Sequence, residues 1–438
     1  MRLLVSGGGT GGHVYPVLAV LDVLRPAAEP RNNRAADIPP AAAVTASKPA
    51  ARPEQPLLAG GLPAPNAPLP GVPEPAASLP NPPVAAEPTG FRAGVDEVQV
   101  MYAGVAGAVE EELAGRAGIS FRAIDSGQVR GVGLVRAAKG LAKAGRGTRQ
   151  AAALMRDFKP DVVFVTGGYV AGPVVWSAWR AGVPVFISLP DLEPGVAIRR
   201  MSRFASRVGV SFDEAASYFP GKAVVTGYPV RPEILALVGR KAEARTALGL
   251  DPDLPMLLVF GGSRGARSIN QALAASLADI LQHCQVVHVS GTLDWPDVES
   301  RAAGIPEPLR GRYHPYPYLH DEMALALAAA DLVVARAGAS TLGEFPALGL
   351  PSVLVPYPYS GQHQDVNADF LVARGAAIKI ADADLSAQLR GTVIGPLQDP
   401  VRMQEMRQAA SSLARPDAAA RIAQELRHLA AGKRKSGP

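Results

Sequence analysis

Cysteine is nearly absent from this chain of 438 residues, in which Cys284 is the only one. A single thiol excludes an internal disulfide and a metal site built from cysteines alone. It also fits a reducing compartment. The length allows two or three domains, and the hydrophobic content of 48% allows a sizeable buried core.

Long apolar runs are missing as well. The most apolar stretch, residues 170–189, is interrupted by Pro173, Arg180 and Pro184. A membrane-spanning helix needs roughly 20 consecutive apolar residues. The first six residues are too short an apolar run for a signal peptide. We therefore expect any membrane contact to be peripheral.

Residues 26–90 contain no aromatic side chain, while 17 of these 65 positions are proline and 17 are alanine. Such a composition buries too little apolar surface to offset the entropy of ordering the chain. It predicts a disordered insertion, favoured as a surface loop without function over a tether for a partner. Deleting residues 30–88 is expected to leave folding and turnover nearly intact.

Acidic residues are absent between Ser126 and Arg156, where seven basic residues occur. Arg136, Lys139 and Lys143 would line one face of a helix, opposite apolar residues. This pattern is typical of a membrane-surface helix, although a solvated basic face explains it equally well. The net charge of +5 permits an anionic partner without choosing among phosphate, lipid and nucleic acid.

Short apolar segments alternate with helical ones, and glycine-rich turns follow several of them. This pattern predicts an α/β fold with parallel sheets. It occurs twice, so we expect two Rossmann-like domains facing a central cleft, with a hinge at residues 227–232. The predicted domains are residues 1–230 and 231–400. Residues 401–438 are expected to form a helix returning to the first domain and a basic tail.

The first predicted strand ends in a glycine turn, Gly7-Gly8-Gly9-Thr10-Gly11-Gly12-His13. This matches G-x-G-x-x-G, but the acidic residue that a dehydrogenase needs after its second strand is missing, as is the lysine of a P-loop. The bare amides suit an anionic or polyhydroxyl ligand. His13 is a candidate general base, or only a capping residue.

A second glycine turn, Gly261-Gly262-Ser263-Arg264-Gly265-Ala266, is suited to a diphosphate. Further along, Ser340 and Thr341 precede Glu344, whose carboxylate suits a ribose diol; a helix capping box is the alternative. The amides of Gln364 and Asn367, on one helical face with His363, suit sugar hydroxyls.

Together these motifs resemble those of the MurG family of glycosyltransferase family 28. Further matching segments are Gly167-Gly168-Tyr169-Val170-Ala171-Gly172-Pro173 and Tyr228-Pro229-Val230-Arg231. The resemblance covers the chain apart from residues 26–90 and the extreme C-terminus. It implies the GT-B fold and inverting transfer of N-acetylglucosamine from UDP-N-acetylglucosamine to lipid I, forming lipid II for peptidoglycan. It also implies peripheral docking to the anionic cytoplasmic face of the cell membrane through the basic segment.

The resemblance implies a role for each matching residue. Thr10, with Gly11, Gly12 and His13, would lie between donor and acceptor, near Tyr169. Arg231 and Ser263 would approach UDP, and Leu319 the uracil. Ser340 and Thr341 would contact phosphate, Glu344 the ribose, and Gln364 and Asn367 the sugar hydroxyls. No cofactor, metal ion or nucleic acid is implied.

Two positions depart from the family pattern. Asp191 replaces an asparagine near donor and acceptor, where a carboxylate would serve as a base, orient His13 or signal another acceptor. Tyr228 replaces an asparagine at the predicted hinge, where the change is expected to be tolerated.

Other functions are less favoured. A UDP-N-acetylglucosamine 2-epimerase needs more carboxylates near the sugar, and a non-catalytic UDP-sugar-binding protein has no need of His13. Another GT-B enzyme with a different lipid acceptor remains an alternative. Asp382-Ala383-Asp384 resembles a metal-nucleotide motif, but a loop and helix N-cap is the favoured interpretation.

Overall fold

A computed structural model describes residues 1–8, 11–25, 98–126, 134–262, 265–359 and 363–435. The predicted insertion at residues 26–90 lies outside these ranges, as do Thr10 and Ser263. The backbone of His13, Arg136 and Lys139 is described, but their side chains are not.

The first sheet has seven parallel strands in the order β3-β2-β1-β4-β5-β6-β7. Its strands are β1 (Arg2–Ser6), β2 (Gln99–Gly104), β3 (Ser120–Ala123), β4 (Val162–Val165), β5 (Val185–Leu189), β6 (Arg207–Val210) and β7 (Ala223–Val225).

The second sheet has six parallel strands in the order β10-β9-β8-β11-β12-β13. Its strands are β8 (Met256–Phe260), β9 (Gln285–Val289), β10 (Tyr313–Tyr316), β11 (Leu332–Ala335), β12 (Ser352–Leu354) and β13 (Ala377–Lys379).

Helices connect the strands of each sheet. In the first half of the chain they are α1 (Gly11–Leu24), α2 (Val109–Arg116), α3 (Leu134–Phe158), α4 (Ala171–Arg180), α5 (Val196–Met201), α6 (Asp213–Ala216) and α7 (Pro232–Leu235). In the second half they are α8 (Lys241–Ala247), α9 (Arg267–Ile280), α10 (Trp295–Ala303), α11 (Glu307–Arg310), α12 (Glu322–Ala329), α13 (Glu344–Leu348), α14 (His363–Ala373), α15 (Leu385–Leu397), α16 (Pro400–Ser412) and α17 (Ala418–Lys435).

Continuous apolar strands form the centre of each sheet because helices cover both faces. Strands β4, β5 and β11 are buried along their whole length. Two parallel sheets connected by helices are the architecture that the alternating pattern predicts. In the described parts of the chain, no helix has both the length and the apolar composition to cross a bilayer.

The last helix, α17, packs against α1 of the first sheet. Ile422 and Leu426 are fully buried in one apolar cluster with Val17, Val20 and Leu24 of α1. The polypeptide therefore passes from the first sheet to the second after β7, and returns between α16 and α17.

A second apolar cluster joins the two halves. The rings of Phe212, after β6, and Phe370, on α14, have centroids 4.4 Å apart. Leu192 and Tyr228 belong to the same cluster, which otherwise consists mainly of residues from the second sheet and its helices. Tyr228 is 3% exposed, and a Cβ atom on Gly343 would lie 2.5 Å from its ring. The tyrosine that replaces the family asparagine therefore fills a packed site at the predicted hinge.

Candidate active site

Strand order locates the ligand-binding edge of each sheet. The order reverses between β1 and β4 in the first sheet and between β8 and β11 in the second. Ligands of open parallel sheets bind at such switch points, outside the carboxyl ends of the strands. The turns after these four strands contain both glycine motifs and lead to Glu344.

The first glycine turn is packed closely against its neighbours. A Cβ atom on Gly7 would lie 2.1 Å from Thr166 Oγ1, and one on Gly168 would lie 2.6 Å from the carbonyl oxygen of Gly8. Gly168 also has a φ of +86°, which favours glycine. A buried carboxylate, Glu110, lies against Gly8. The sequence pattern did not indicate this carboxylate, because Glu110 lies on α2 rather than at the end of β2.

Helix α1 starts at this turn and includes His13 in its first residues. Tyr15, two residues further, reaches the second half of the molecule, where the guanidinium of Arg231 lies 5.2 Å from its ring centroid. Burial is the main cause that raises the pKa of the Tyr15 hydroxyl. The start of α1 and the segment before α7 therefore meet in the cleft.

Arg231 and Glu344 form an ion pair at the carboxyl edge of the second sheet. Arg231 precedes α7, Glu344 begins α13, and Nε lies 2.9 Å from Oε1. Their side chains are only 14% and 9% exposed. Burial raises the pKa of Glu344, and the Arg231 cation partly offsets that effect. A cation beside a carboxylate is chemically suited to a nucleoside diphosphate, which offers a phosphate to the one and a ribose diol to the other.

Asn367 bridges the two halves of the chain. Its amide donates to Asp191 Oδ1 at 2.9 Å and to the carbonyl of Ala337 at 3.1 Å, and its Oδ1 accepts from the Leu192 amide at 3.2 Å. Asn367 is fully buried. Its amide hydrogens are thus committed to protein partners in this structure, which the predicted sugar contact did not anticipate.

Two further polar residues, His363 and Gln364, lie at the start of α14. Gln364 Oε1 accepts from the backbone amide of Tyr357 at 2.8 Å. His363 Nε2 would lie 3.7 Å from a Cβ atom on Gly195, so this ring reaches the start of α5. Its Nδ1 is buried and has no hydrogen-bond partner within the described ranges. The sequence placed His363 beside Gln364 but gave no reason to assign this histidine a role of its own.

Behind the second glycine turn lies a polar cluster. A Cβ atom on Gly265 would lie 2.3 Å from the carbonyl oxygen of Ser290, so the turn is tightly packed. Arg336 donates to Asp382 Oδ1 at 2.5 Å and to Ser268 Oγ at 2.8 Å. Asp382 is therefore part of an ion pair behind the turn. Among the described residues, no group of three or more potential ligand side chains is arranged to hold a metal ion.

The remaining predicted residues differ in exposure. Tyr169 is 62% exposed, whereas Leu319 is 8% exposed and packs in the apolar cluster.

Thr341 is buried, and its hydroxyl donates to the Gly338 carbonyl at 2.7 Å. Gly338 and Gly343 occupy the N-cap positions of this segment without side-chain caps. The alternative capping-box interpretation of Ser340, Thr341 and Glu344 is therefore wrong.

Comparison with family models identifies the chain. The glycosyltransferase family 28 N-terminal domain matches residues 93–210, and the family 28 C-terminal domain matches residues 256–422. The chain belongs to glycosyltransferase family 28. The N-terminal match includes strands β2 to β6 of the first sheet, and the C-terminal match includes all six strands of the second sheet.

Relatives of this family 28 chain match over nearly its full length. One from Desulforudis audaxviator is 36% identical, over 95% of this chain and 95% of its own. One from Halalkalibacterium halodurans is 33% identical, over 96% and 98%. Both are named UDP-N-acetylglucosamine--N-acetylmuramyl-(pentapeptide) pyrophosphoryl-undecaprenol N-acetylglucosamine transferase.

Solved structures agree with this assignment. MurG from Acinetobacter baumannii is 25% identical, with a TM-score of 0.66 over 98% of this chain and 99% of its own. A UDP-GlcNAc 2-epimerase from Neisseria meningitidis, 11% identical with a TM-score of 0.59 over 98% and 100%, shares the fold alone. The predicted MurG resemblance and GT-B fold are confirmed, and the chain is a glycosyltransferase.

Proposed function

We propose that this family 28 enzyme transfers N-acetylglucosamine from UDP-N-acetylglucosamine to lipid I, with inversion at the anomeric carbon, to form lipid II. The observation that carries the proposal is the Arg231–Glu344 ion pair at the carboxyl edge of the second sheet, the sheet that the family 28 C-terminal domain matches. Relatives named for this reaction, matching nearly the whole chain, support the same donor and acceptor.

In the donor complex, Glu344 binds the ribose hydroxyls and Arg231 binds the diphosphate. The amides of the second glycine turn add donors for the phosphate oxygens, together with Ser263 and Ser340. Thr341 joins them only after its hydroxyl releases the Gly338 carbonyl. Gln364 binds the sugar through its amide nitrogen, since its oxygen already accepts from Tyr357. Leu319 supports the uracil from the apolar cluster. Asn367 reaches the sugar only after one of its present hydrogen bonds is exchanged.

The reaction requires one proton acceptor. An acceptor hydroxyl loses its proton as its oxygen attacks the anomeric carbon, while the bond from that carbon to UDP breaks and UDP takes the electron pair. His13, at the start of α1, takes the proton, and Arg231 stabilises the charge on UDP. Asp191 is the alternative base, because it follows β5 at the carboxyl edge of the same sheet from which α1 begins.

Two variants distinguish these bases. His13→Ala should lower kcat by about 10²–10⁴-fold with donor affinity little changed. Asp191→Asn keeps an oxygen that accepts from Asn367, so it removes the carboxylate without breaking that contact. A larger loss in Asp191→Asn than in His13→Ala would make Asp191 the base. Near wild-type kcat in both variants would exclude this catalytic site.

Two surface features support peripheral binding to an anionic membrane. Trp176 and Trp179 of α4 are 39% and 48% exposed, and they contact the Phe204 ring edge-on and tilted, at centroid distances of 5.4 Å and 5.0 Å. Helix α3, with Arg136, Lys139 and exposed Lys143, packs against α4. Aromatic rings beside cations are typical of a bilayer interface.

Vesicle binding tests this surface. Reversing Arg136, Lys139 and Lys143 to Glu should weaken binding to anionic vesicles, more at low salt than at high salt. Turnover with a soluble acceptor should be unchanged. The matched control is Arg402→Glu, an exposed cation on α16. Equal vesicle binding by the triple variant and the control would exclude the surface. Docking there would place the enzyme at the cytoplasmic membrane face, where lipid I is its substrate.

One incubation tests the reaction itself. With UDP-N-acetylglucosamine and lipid I, the product should gain one N-acetylglucosamine residue, and UDP should be released in equal amount. Transfer to a different lipid acceptor but not to lipid I would favour the alternative GT-B enzyme. UDP-N-acetylmannosamine formed without acceptor would indicate an epimerase, and donor binding without any product would indicate a non-catalytic protein.

A further inference from the structure

Three cations converge on one carboxylate at the edge of the second sheet opposite the donor site. Asp331 directly precedes β11, and its Oδ2 accepts from the Met256 amide at the start of β8. Its Oδ1 lies 2.9 Å from Lys241 Nζ and 2.9 Å from an Arg407 nitrogen, and Arg245 binds Oδ2. Asp331 is therefore at the amino ends of these strands, whereas Glu344 follows the carboxyl end of β11.

The charges of this cluster do not cancel. Within the described ranges, each of the three cations has Asp331 as its ion-pair partner, which leaves an excess of two positive charges. Arg245 also donates to the carbonyls of Ala329 and Pro252. Lys241 and Arg407 have further N–H groups, because an ammonium has three donors and a guanidinium five.

Partial burial reduces the screening of this excess positive charge by water. The side chains of Lys241 and Arg407 are 39% and 35% exposed. Burial lowers the pKa of Lys241; Asp331 raises it, and the neighbouring Arg407 and Arg245 lower it further. A bound anion would stabilise the charged forms of Lys241 and Arg407, because opposite charges interact more strongly away from bulk water.

A cavity of about 620 Å³ lies beside Lys241 and Arg407. Its polar walls come largely from α16, and its apolar walls from α12, α13 and the residues after α7. The polar members are Gln404, Gln408, Ser411 and Ser412, and the apolar members include Leu237, Leu327 and Leu348. The Ser412 hydroxyl already donates to the Ala409 carbonyl at 2.7 Å. The two amides and the Ser411 hydroxyl are donors beside two cations and suit a multiply charged oxyanion, and the leucines suit a short apolar attachment.

We propose that this cavity is a second ligand site, which binds a small phosphate-bearing molecule through Lys241 and Arg407. The phosphate bridges the two cations, and the polar side chains of α16 bind its remaining oxygens. The ligand also contacts Leu348 and Gly349, at the end of the short helix that begins with Glu344. The site does not depend on the identity of the acceptor.

Calorimetry with UDP held in saturating excess tests the site, because UDP occupies the donor edge beforehand. Inorganic phosphate and monomeric dihexanoyl phosphatidic acid are titrated separately, to distinguish a soluble phosphate from a lipid headgroup. Lys241→Gln and Arg407→Gln should each weaken binding at least about tenfold. Lys241→Arg, which keeps the charge, should retain phosphate binding. Arg402→Gln, which removes a cation of α16 that does not line the cavity, should retain it as well.

Binding of either ligand that is lost in both Gln variants and kept in the two controls would support the site. Melting temperatures measured without phosphate separate lost binding from lost folding. The second readout is a rise in melting temperature with added phosphate in wild type and the two controls but not in the Gln variants. The proposal is overturned if neither ligand binds wild type, or if binding is equal in wild type and folded Gln variants. UDP affinity, measured first, reports on the proposed function independently.

Discussion

Arg231 and Glu344 neutralise each other in the cleft, and each is also proposed to contact the donor. The contact joins positions 113 residues apart. The motif around Glu344 predicted its function, but no local pattern predicted its partner. Such a pairing is set by the packing of α7 against α13, which the spacing of residues along the chain does not encode.

Glu344→Ala should weaken UDP binding by about 10–100-fold, because it removes a charged acceptor worth roughly 1.5–3 kcal/mol. The matched control is Glu233→Ala, which removes a half-exposed carboxylate 4.0 Å from the same guanidinium. Its effect should be under about threefold, since exposed pairs contribute little. Calorimetry with UDP measures both, and equal affinities in the two variants would contradict the ribose assignment.

His288 is a buried histidine that the sequence did not single out. Burial lowers its pKa to about 4, while Asp294 acts in the opposite direction. Asn270 donates to Ser290 and Asp294, so its oxygen must accept from His288 Nε2. His288 Nδ1 then accepts from the Tyr313 hydroxyl at 2.8 Å. The neutral imidazole of His288 therefore donates to Asn270 and accepts from Tyr313, so both of its nitrogens are hydrogen-bonded.

The stability of this network should depend on pH. Below about pH 6.5 the unfolded state gains a proton at His288 that the folded state takes up only near pH 4, so stability falls as pH decreases through this window. The loss approaches about 3 kcal/mol. Urea unfolding at pH 7 and pH 4.5 should show a smaller pH effect in His288→Gln. Tyr313→Phe, which keeps the titrating ring, should retain the wild-type pH effect; an equal pH effect in wild type and His288→Gln would contradict this account.

At the scale of elements, the strands in the sheet centres could be predicted, and two edge strands could not. Strands β3 and β10 are largely half-exposed or exposed, and β10 contains Pro315. Edge strands have one unpaired side and tolerate proline, so their sequences lack the continuous apolar run of a central strand. Pairing with β2 and β9 decides their conformation.

Helix α17 provides the apolar cover of α1. Leu426→Ala should destabilise the protein by about 2–5 kcal/mol, because Leu426 is fully buried and its removal leaves a cavity. Arg427→Ala, on the exposed face of the same helix, should change stability by less than about 0.5 kcal/mol. Urea unfolding measures both; a loss of less than 1 kcal/mol in Leu426→Ala would show that α17 contributes little.

At the scale of the whole molecule, the two passages of the chain between the sheets touch each other. Gly227 has a φ of +87°, and a Cβ atom there would lie 2.6 Å from Arg415 Cβ and 3.0 Å from Ala418 Cβ. The sequence predicted a hinge at residues 227–232, but it did not show that the returning segment packs against it. That contact joins residues almost 190 positions apart.

Gly227→Ala should therefore destabilise the protein more than Gly239→Ala does. Both glycines have positive φ, so each substitution incurs about 1–2 kcal/mol of backbone strain. Only Gly227 adds a steric conflict, because the space around Gly239 is open to at least 4 Å within the described structure. Free energies of unfolding measured in urea should differ by more than about 1 kcal/mol. Equal losses of stability in the two variants would show that the contact of Gly227 with Arg415 and Ala418 adjusts without strain.

The return of α17 to α1 also has a consequence for biosynthesis. A ribosome releases all strands of the first sheet before any strand of the second, yet the apolar face of α1 lacks its cover until α17 emerges. Domains usually fold in the order of their synthesis. Here the second sheet and its helices, through α16, are complete while the first still exposes Val17, Val20 and Leu24. The half that is translated first is therefore the last to finish its core, and a nascent chain stalled before residue 418 would present that uncovered face to chaperones.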